Sequence, residues 1–163
     1  MVDVMTIAQR SAAMAKIKGN NTAPERWVRN VLWHAGFRYR LHSKALPGRP
    51  DLVLARWDAA ILVHGCFWHH HDDCPLFRIP ATRPEFWIPK LEANAARDRR
   101  VVSSLTEAGW RSLVIWECAI RFAPLASAEL MVSWLSDWRP SAQLEWRVSG
   151  VAEQSMAHVG TFP

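Results

Sequence analysis

Cysteine is scarce in this chain, with three copies among 163 residues. The odd number excludes the disulfide framework that holds many small secreted proteins together, and it favours reduced thiols in the cytoplasm. The sequence also lacks an apolar run of membrane-spanning length, and its first residues do not have the pattern of a secretory signal. Internal repeats and low-complexity tracts are absent. We therefore expect a soluble cytoplasmic protein without a membrane partner.

What the sequence does contain is typical of one folded domain. Half of the residues are hydrophobic and 21% are charged, so a chain of this length can bury a core. The net charge of +5 favours polyanionic partners, although basicity alone is a weak indicator of nucleic-acid binding. Tryptophan is frequent at ten copies, which leaves flat rings beyond those of the core to stack on bases.

Residues 60–74 carry an unusual concentration of histidine and cysteine after an apolar run. Imidazole and thiol groups need partners once they are buried. With Cys118, this stretch offers a tetrahedral Cys₃His set suited to structural zinc, formed by Cys66, His71, Cys74 and Cys118. His70 is an alternative to His71 as the imidazole ligand, and the spacing leaves that choice open. The alternative without a metal is three buried thiols beside inert histidines.

Asp51 begins a predicted strand directly after a proline-rich loop. The next strand follows a short turn at residues 56–58, so the two strands should be antiparallel neighbours with Asp51 close to residues 63–64. A carboxylate there is a candidate ligand for Mg²⁺, and His64 and His69 are candidates to hydrogen-bond or deprotonate an attacking water. Taken singly, each has an ordinary alternative, an aspartate that caps a loop or a satisfied histidine at a strand end.

Helices and strands are expected to alternate along the chain, which predicts an α/β fold with a mixed sheet. Thr22 and Glu25 have the spacing of a capping box, so Glu25 is expected first of all as a helix cap. The predicted strands are residues 37–42, 51–55, 59–66 and 110–116, and the predicted helices are residues 22–35, 90–108 and 125–138.

Both ends of the chain are predicted to lie outside the main domain of residues 22–140. Residues 1–21 form an N-terminal arm, which is either a frayed helix or a segment that lies along DNA with its lysines near phosphates. Residues 141–163 form a C-terminal tail, since the periodic pattern ends at Pro140.

Several short motifs in this chain are characteristic of one family. They are Leu46-Pro47-Gly48-Arg49-Pro50-Asp51, Val63-His64-Gly65-Cys66-Phe67-Trp68-His69, Phe86-Trp87, Arg97-Asp98-Arg99-Arg100, Gly109-Trp110-Arg111 and Trp116-Glu117-Cys118. Over about residues 8–140, the sequence closely resembles the very-short-patch-repair (Vsr) DNA mismatch endonucleases. The resemblance implies a restriction-endonuclease-like fold. It also implies strand-specific nicking 5′ to the thymine of a T·G mismatch that arises when 5-methylcytosine deaminates, which initiates very short patch repair.

The resemblance also implies a role for individual residues. Asp51 would ligate magnesium, together with the backbone carbonyl of Val63, and His69 would be the general base. His64 and Glu25 would position the water molecules around the magnesium ions. The zinc ligands would be Cys66, His71, Cys74 and Cys118, and the residues inserted into DNA beside the mismatch would be Met14, Phe67, Trp68 and Trp87.

Two other functions are weighed against this one. A non-catalytic zinc-containing DNA-binding module has no need of a carboxylate at Asp51. A zinc hydrolase is disfavoured because three thiolates and an imidazole leave zinc no open position. We expect a monomer, since nicking one strand requires a single active site. The expected partner is double-stranded DNA with a T·G mismatch, and the resemblance adds other mismatch-repair proteins.

Overall fold

The computed structural model describes residues 19–147 and 150–155, which form a mixed sheet with helices on both sides. In chain order, the elements are α1 (Ala23–His34), β1 (Arg40–Leu41), β2 (Leu52–Leu54), a 3₁₀ turn (Ala55–Trp57), β3 (Ala59–His64), α2 (Pro84–Glu107), β4 (Arg111–Trp116), α3 (Glu117–Phe122), α4 (Pro124–Ser136), β5 (Ala142–Arg147) and β6 (Gly150–Ser155). The predicted α/β class is confirmed. None of the helices in the described part of the chain is long and apolar enough to cross a membrane.

The sheet has six strands in sequential order, and its centre is parallel. β2 pairs antiparallel with β3, as the short connection at residues 56–58 predicts. β3 pairs parallel with β4, and β4 pairs parallel with β5, so α2 is the crossover that carries the chain from β3 to β4. The carboxyl ends of β3 and β4 therefore lie side by side.

Alternation along the central strands gives the sheet two buried faces. Ile61 and Ile115 pack on one face with residues of α1 and α4, including Leu32 and Trp134. The intervening residues of the strands face the other way and pack against α2, in a cluster that contains Cys66 and Cys118. Burial on both faces explains why these strands are almost continuously apolar. It also places the cysteines at the edge of a core.

The start of α1 follows the predicted capping box. The hydroxyl of Thr22 accepts a hydrogen bond from the backbone N–H of Glu25, and the side chain of Glu25 accepts one from the backbone N–H of Thr22. Pro24 lies in the first turn, where its missing N–H costs the helix nothing. The cap holds the carboxylate of Glu25 at the end of the helix that faces β2 and β3.

Two predicted boundaries were wrong by more than two residues. The strand expected at residues 37–42 is reduced to β1, because only Arg40 and Leu41 pair with β2. The helix expected at residues 90–108 begins six residues earlier, at Pro84, so Phe86 and Trp87 are helical rather than part of a loop. A proline is well suited to the first helical position, and a 24-residue helix tolerates the one hydrogen bond that Pro89 removes.

The expectation of a loosely attached tail after Pro140 is corrected in part. Residues of β5 and β6 form a hairpin that adds to the sheet beside β4, and Leu144 is fully buried. The strand escaped prediction because Gln143 and Glu145 interrupt its apolar pattern, and Glu145 is itself buried. Residues 148–149 and 156–163, and the N-terminal arm up to residue 18, lie outside the described residues.

The attachment of the hairpin can be tested by truncating its buried leucine. Leu144→Ala should lower the free energy of unfolding by about 2–5 kcal/mol, the usual cost of a leucine-to-alanine change in a core. Leu125→Ala is the matched control, because Leu125 is 81% exposed and should change stability by less than about 0.5 kcal/mol. Urea denaturation of both variants measures the difference. Equal midpoints would show that β5 is not part of the folded core.

Candidate active site and metal centre

A cleft of about 750 Å³ opens beside the carboxyl end of β3. It is bordered by the start of α1, the residues that lead into β2, and the middle of α2. Polar and titratable groups from all of these elements meet there, among them Glu25, His42, Asp51, His64, His69, Arg97 and Asp98. The concentration of such groups in one concave site is typical of a catalytic centre.

Asp51 lies where the sequence predicts, next to the end of β3. Its Oδ2 accepts a hydrogen bond of 2.7 Å from the backbone N–H of Val63. Burial raises the pKa of Asp51 above its ordinary value, the Val63 N–H opposes that rise, and the nearby Glu25 carboxylate adds to it. A carboxylate under these conditions is stabilised in its charged form by a cation.

Glu25 and His42 complete a cluster with Asp51 on one side of the cleft. The His42 ring lies between the two carboxylates, with Nε2 3.7 Å from Glu25 Oε2 and Nδ1 3.8 Å from Asp51 Oδ1. Arg29 donates to Glu25 Oε2 at 2.8 Å and lies 3.2 Å from His42 Nε2. The structure thus confirms Glu25 as a helix cap and also places its carboxylate in a cluster with Asp51.

His64 and His69 form a stacked pair on the opposite side of the cleft. Their ring centroids are 3.9 Å apart and the planes are nearly parallel, at 6°. Burial, with a smaller contribution from His69, lowers the pKa of His64 to about 3, so its ring is neutral at physiological pH. Its Nδ1 is buried and has no hydrogen-bond partner among the described residues, which is a costly arrangement for a polar atom.

Asp98 of α2 holds the other histidine of the pair. Its Oδ2 lies 2.6 Å from His69 Nδ1. Burial works to raise the pKa of Asp98, but the hydrogen bond with His69 and the nearby positive charge keep the value below the ordinary one. Asp98 is therefore ionised and accepts the Nδ1 proton, which leaves His69 Nε2 as the basic nitrogen.

The residues of the predicted Cys₃His set come together at the ends of β3 and β4. The donor atoms of Cys66, His71, Cys74 and Cys118 all lie within 4.8 Å of one another, and all four residues are buried. Cys66 and Cys74 come from the loop after β3, and Cys118 comes from the first turn of α3 rather than from the strand itself. The cysteines form no disulfide among the described residues.

The structure settles which histidine belongs to this cluster. His71 Nδ1 lies 3.6 Å from Cys118 Sγ. His70 turns away, pairs with Asp72 at 3.2 Å, and packs against the ring of Phe77. Of the two histidines that the sequence left open, His71 is therefore the one that lies among the cysteines.

The donor chemistry of the cluster fits a soft divalent cation. A hydrogen bond with Cys118, followed by burial, raises the pKa of the Cys66 thiol, and burial raises that of Cys74. Buried thiols that resist ionisation in this way become thiolates when they coordinate a metal, because its charge outweighs the cost of burial. Three sulfur atoms and one imidazole nitrogen are a typical tetrahedral zinc set.

Aromatic rings form a partly exposed cluster beside the cleft. Phe67 lies 5.0 Å from Trp68 and 5.3 Å from Trp87, as measured between ring centroids, and Phe86 lies 5.3 Å from Trp87. Asn94 of α2 donates to the backbone carbonyl of Trp68 at 3.0 Å, which fixes the loop. The structure thus brings together Phe67, Trp68 and Trp87, three of the residues expected to insert into DNA, while Met14 lies outside the described residues.

Three residues of these sites escaped the sequence analysis, namely His42, Asp98 and Glu145. Asp98 belongs to a quoted motif, but it contacts a histidine 29 residues away, a separation that no local pattern reveals. His42 was assigned to an ordinary strand position. Glu145 contacts His71 from a segment expected to be a tail. For Asp98, the sequence offered one signal, an acidic residue within the basic run Arg97–Arg100 of α2.

Comparison with known proteins identifies relatives over most of the chain. The family described as DNA mismatch endonuclease Vsr matches residues 2–75. The chain is 44% identical to the DNA mismatch endonuclease Vsr of Escherichia coli (strain K12) over 138 residues, which cover 85% of this chain and 88% of that protein. It is also 42% identical to the type II nicking enzyme V.XorIIP of Xanthomonas oryzae pv. oryzae, over 74% of this chain and 88% of the relative. A third relative, the type II nicking enzyme V.NmeAIP of Neisseria meningitidis, is 38% identical over 74% of this chain and 86% of its own length.

These matches extend from the N-terminal half, which contains Asp51 and the histidine-rich loop, over most of the remaining chain. Their extent, together with the α/β fold, establishes the family, and the chain belongs to the Vsr DNA mismatch endonucleases.

Proposed function

We propose that this protein is a strand-specific DNA endonuclease of mismatch repair. It would nick 5′ to the thymine of a T·G mismatch that arises from deamination of 5-methylcytosine, and so initiate very short patch repair. The single observation that carries the proposal is the cleft in which Asp51 faces the stacked pair of His64 and His69. The relatives named as a mismatch endonuclease and as nicking enzymes support the substrate and the single-strand cut.

Magnesium is the proposed catalytic cation, held by Asp51 and the backbone carbonyl of Val63. The site fits such an ion because carboxylate and carbonyl oxygens are its preferred ligands, and because burial and the neighbouring Glu25 carboxylate raise the pKa of Asp51, a cost that a bound cation would relieve. When bound, the ion would stabilise negative charge on the phosphate oxygens. Glu25 and His64 would position water molecules around it.

His69 is the proposed general base. Asp98 occupies its Nδ1, so Nε2 takes the proton of the attacking water, and the carboxylate stabilises the imidazolium that forms. His64 lies against the face of His69 and stays neutral, so it does not compete for that proton. It orients the base by stacking and donates or accepts a hydrogen bond without changing charge.

Zinc is the proposed occupant of the Cys₃His cluster, where it would be structural. The loop that supplies Cys66, His71 and Cys74 also carries Phe67 and Trp68, so a metal there would fix the aromatic cluster relative to the cleft. Insertion of such rings between bases costs least at a mismatch, which favours damaged DNA. One loop would thus position both the aromatic rings that recognise the mismatch and the histidine that takes part in cleavage.

DNA is the proposed partner, and the protein acts on it as a monomer in the cytoplasm. Arg97 lines the cleft, and Arg99 and Arg100 are exposed on the same helix, where they can contact phosphates. Met14 is proposed to enter the DNA from the N-terminal arm, and other mismatch-repair proteins are proposed as further partners. The alternative, a non-catalytic zinc-containing DNA-binding module, does not account for Asp51 or for the Asp98–His69 hydrogen bond.

Removal of the proposed magnesium ligand tests the active site. Asp51→Ala should abolish nicking of a T·G-containing duplex in the presence of Mg²⁺, because the proposed magnesium site loses its side-chain ligand. Zinc content and the far-UV circular dichroism spectrum should stay those of the wild type. Gel assays on duplexes with varied flanking sequence, with matched duplexes as controls, measure cleavage. Nicking that persists in this variant would overturn the proposed site.

The role of the general base can be tested with a pair of substitutions. His69→Ala should lower the single-turnover rate by about 10²–10⁴-fold, the usual contribution of general-base catalysis. Asp98→Asn should also lower the rate, because a neutral amide no longer stabilises the charged imidazole. His70→Ala is the matched control in the same loop, and its rate should be unchanged. A wild-type rate in His69→Ala would assign the base elsewhere.

The two adjacent histidines also test the metal centre. His71→Gln should lose the stoichiometric zinc of the wild type and unfold at lower temperature, whereas His70→Gln should retain both zinc and stability. Elemental analysis of dialysed protein gives the metal content, and thermal denaturation gives the stability. Equal zinc content in the two variants would contradict the ligand set.

A further inference from the structure

Glu145 is a buried carboxylate that the proposed mechanism does not use. It lies in β5 and is only 3% exposed. Its Oε2 is 2.7 Å from Nε2 of His71, the histidine whose other nitrogen lies 3.6 Å from Cys118 Sγ. A histidine ring nitrogen this close to a carboxylate oxygen acts as the hydrogen-bond donor, so the contact assigns a proton to Nε2 of His71, while Nδ1 faces the sulfur of Cys118.

The other oxygen of Glu145 is held by residues of the same hairpin. Arg147 donates to Oε1 from Nε at 2.6 Å, and the side-chain amide of Gln154, on β6, donates to the same atom. These bonds account for both oxygens of the carboxylate, and Arg147 offsets part of its charge. The position of the carboxylate is therefore fixed before any metal is considered.

The face of the His71 ring is fixed as well. Trp116 stacks on it at a centroid distance of 3.9 Å and an angle of 12°. The indole N–H of Trp116 donates to Gln143 at 3.3 Å, and Gln143 in turn donates to Gln154 at 3.2 Å. The contacts close a ring from His71 through Trp116, Gln143, Gln154 and Glu145 back to His71, and most of its members belong to the C-terminal hairpin.

We propose that Glu145 is a positioning residue for the metal centre. It holds His71 in the tautomer protonated at Nε2, so that Nδ1 serves as the ligand atom. The C-terminal hairpin is thereby an integral part of that centre, although it supplies no ligand. A carboxylate on the second nitrogen of a metal-bound histidine fixes the ring and makes the ligand nitrogen more basic. The inference rests on the proposed Cys₃His metal site and goes beyond it.

The alternative is that Glu145 and His71 form an ordinary buried ion pair that serves only to attach the hairpin. Both views expect a loss of stability when Glu145 is replaced. They differ in the zinc affinity that they expect for the variant. If the pair only attaches the hairpin, folded Glu145→Gln protein should bind zinc as tightly as the wild type. Zinc affinity is therefore the decisive measurement.

The experiment compares the wild type, Glu145→Gln and a control in competition with a chromogenic zinc chelator. Glu145→Gln keeps the size of the side chain, and we expect zinc to bind about 10–100-fold more weakly, the usual effect of losing such a partner. Asp72→Asn is the matched control, because Asp72 lies in the ligand loop but is 78% exposed and pairs with His70 instead. It should bind zinc as the wild type does.

The variant Glu145→Asp and thermal denaturation separate a role in metal binding from a role in attaching the hairpin. Glu145→Asp keeps the charge and should recover part of the affinity. In excess chelator, the wild type and Glu145→Gln are compared without metal. The decrease in melting temperature caused by Glu145→Gln should be larger in the presence of zinc than in chelator, since part of the decrease comes from weaker zinc binding.

A second measurement needs no substitution and so does not depend on the folding of a variant. Long-range ¹H–¹⁵N spectra of the zinc-loaded wild type should show His71 protonated at Nε2 and coordinated through Nδ1. Coordination through Nε2 would overturn the inference, and so would equal zinc affinity of the wild type and Glu145→Gln. A wild type that binds no zinc would instead overturn the metal site itself, and the inference with it.

Discussion

The parallel pairing of β3 with β4 is the constraint on which both functional centres depend. Its register sets His64 opposite Trp116, so the two strands end at the same level of the sheet. The chain continues by two residues on each side to Cys66 and Cys118, which therefore meet. The hairpin partner, β2, brings Asp51 to Val63 on the other side of β3. A slip of one residue between these strands would turn every side chain to the opposite face and separate the donor atoms.

Aromatic and imidazole rings connect the two centres across this edge of the sheet. His71 of the Cys₃His cluster stacks on Trp116, Trp116 meets His64 edge to face at 5.2 Å, and His64 stacks on His69. Rings packed in this way leave one another few alternative positions, because protein interiors are close-packed. The orientation of the proposed base is thus set partly by the loop that carries the Cys₃His cluster, and the contact with Asp98 from α2 completes it.

The sequence predicted contacts between residues joined by a short connection, and contacts among residue types that are rare in the chain. The proximity of Asp51 and Val63 follows from a hairpin turn, and the Cys₃His set follows from the chain's only cysteines. The contacts of Asp98 and Glu145 with the two histidines could not be predicted in the same way, because they span 29 and 74 residues. The β5 strand was missed for a related reason: its buried glutamate resembles a surface residue until the partner that neutralises it is known.

The crossover through α2 also has a consequence for the order of folding. Cys118 and His71 are 47 residues apart in the chain, and they meet only after β3 and β4 have paired across that helix. Closing a loop of this size is slow compared with forming a helix or a hairpin, so the complete ligand set forms late. A metal bound by the complete set would then stabilise contacts that are expected to form after the transition state. Such a metal would act on the lifetime of the native protein by slowing unfolding, and the rate of folding would stay that of the metal-free chain.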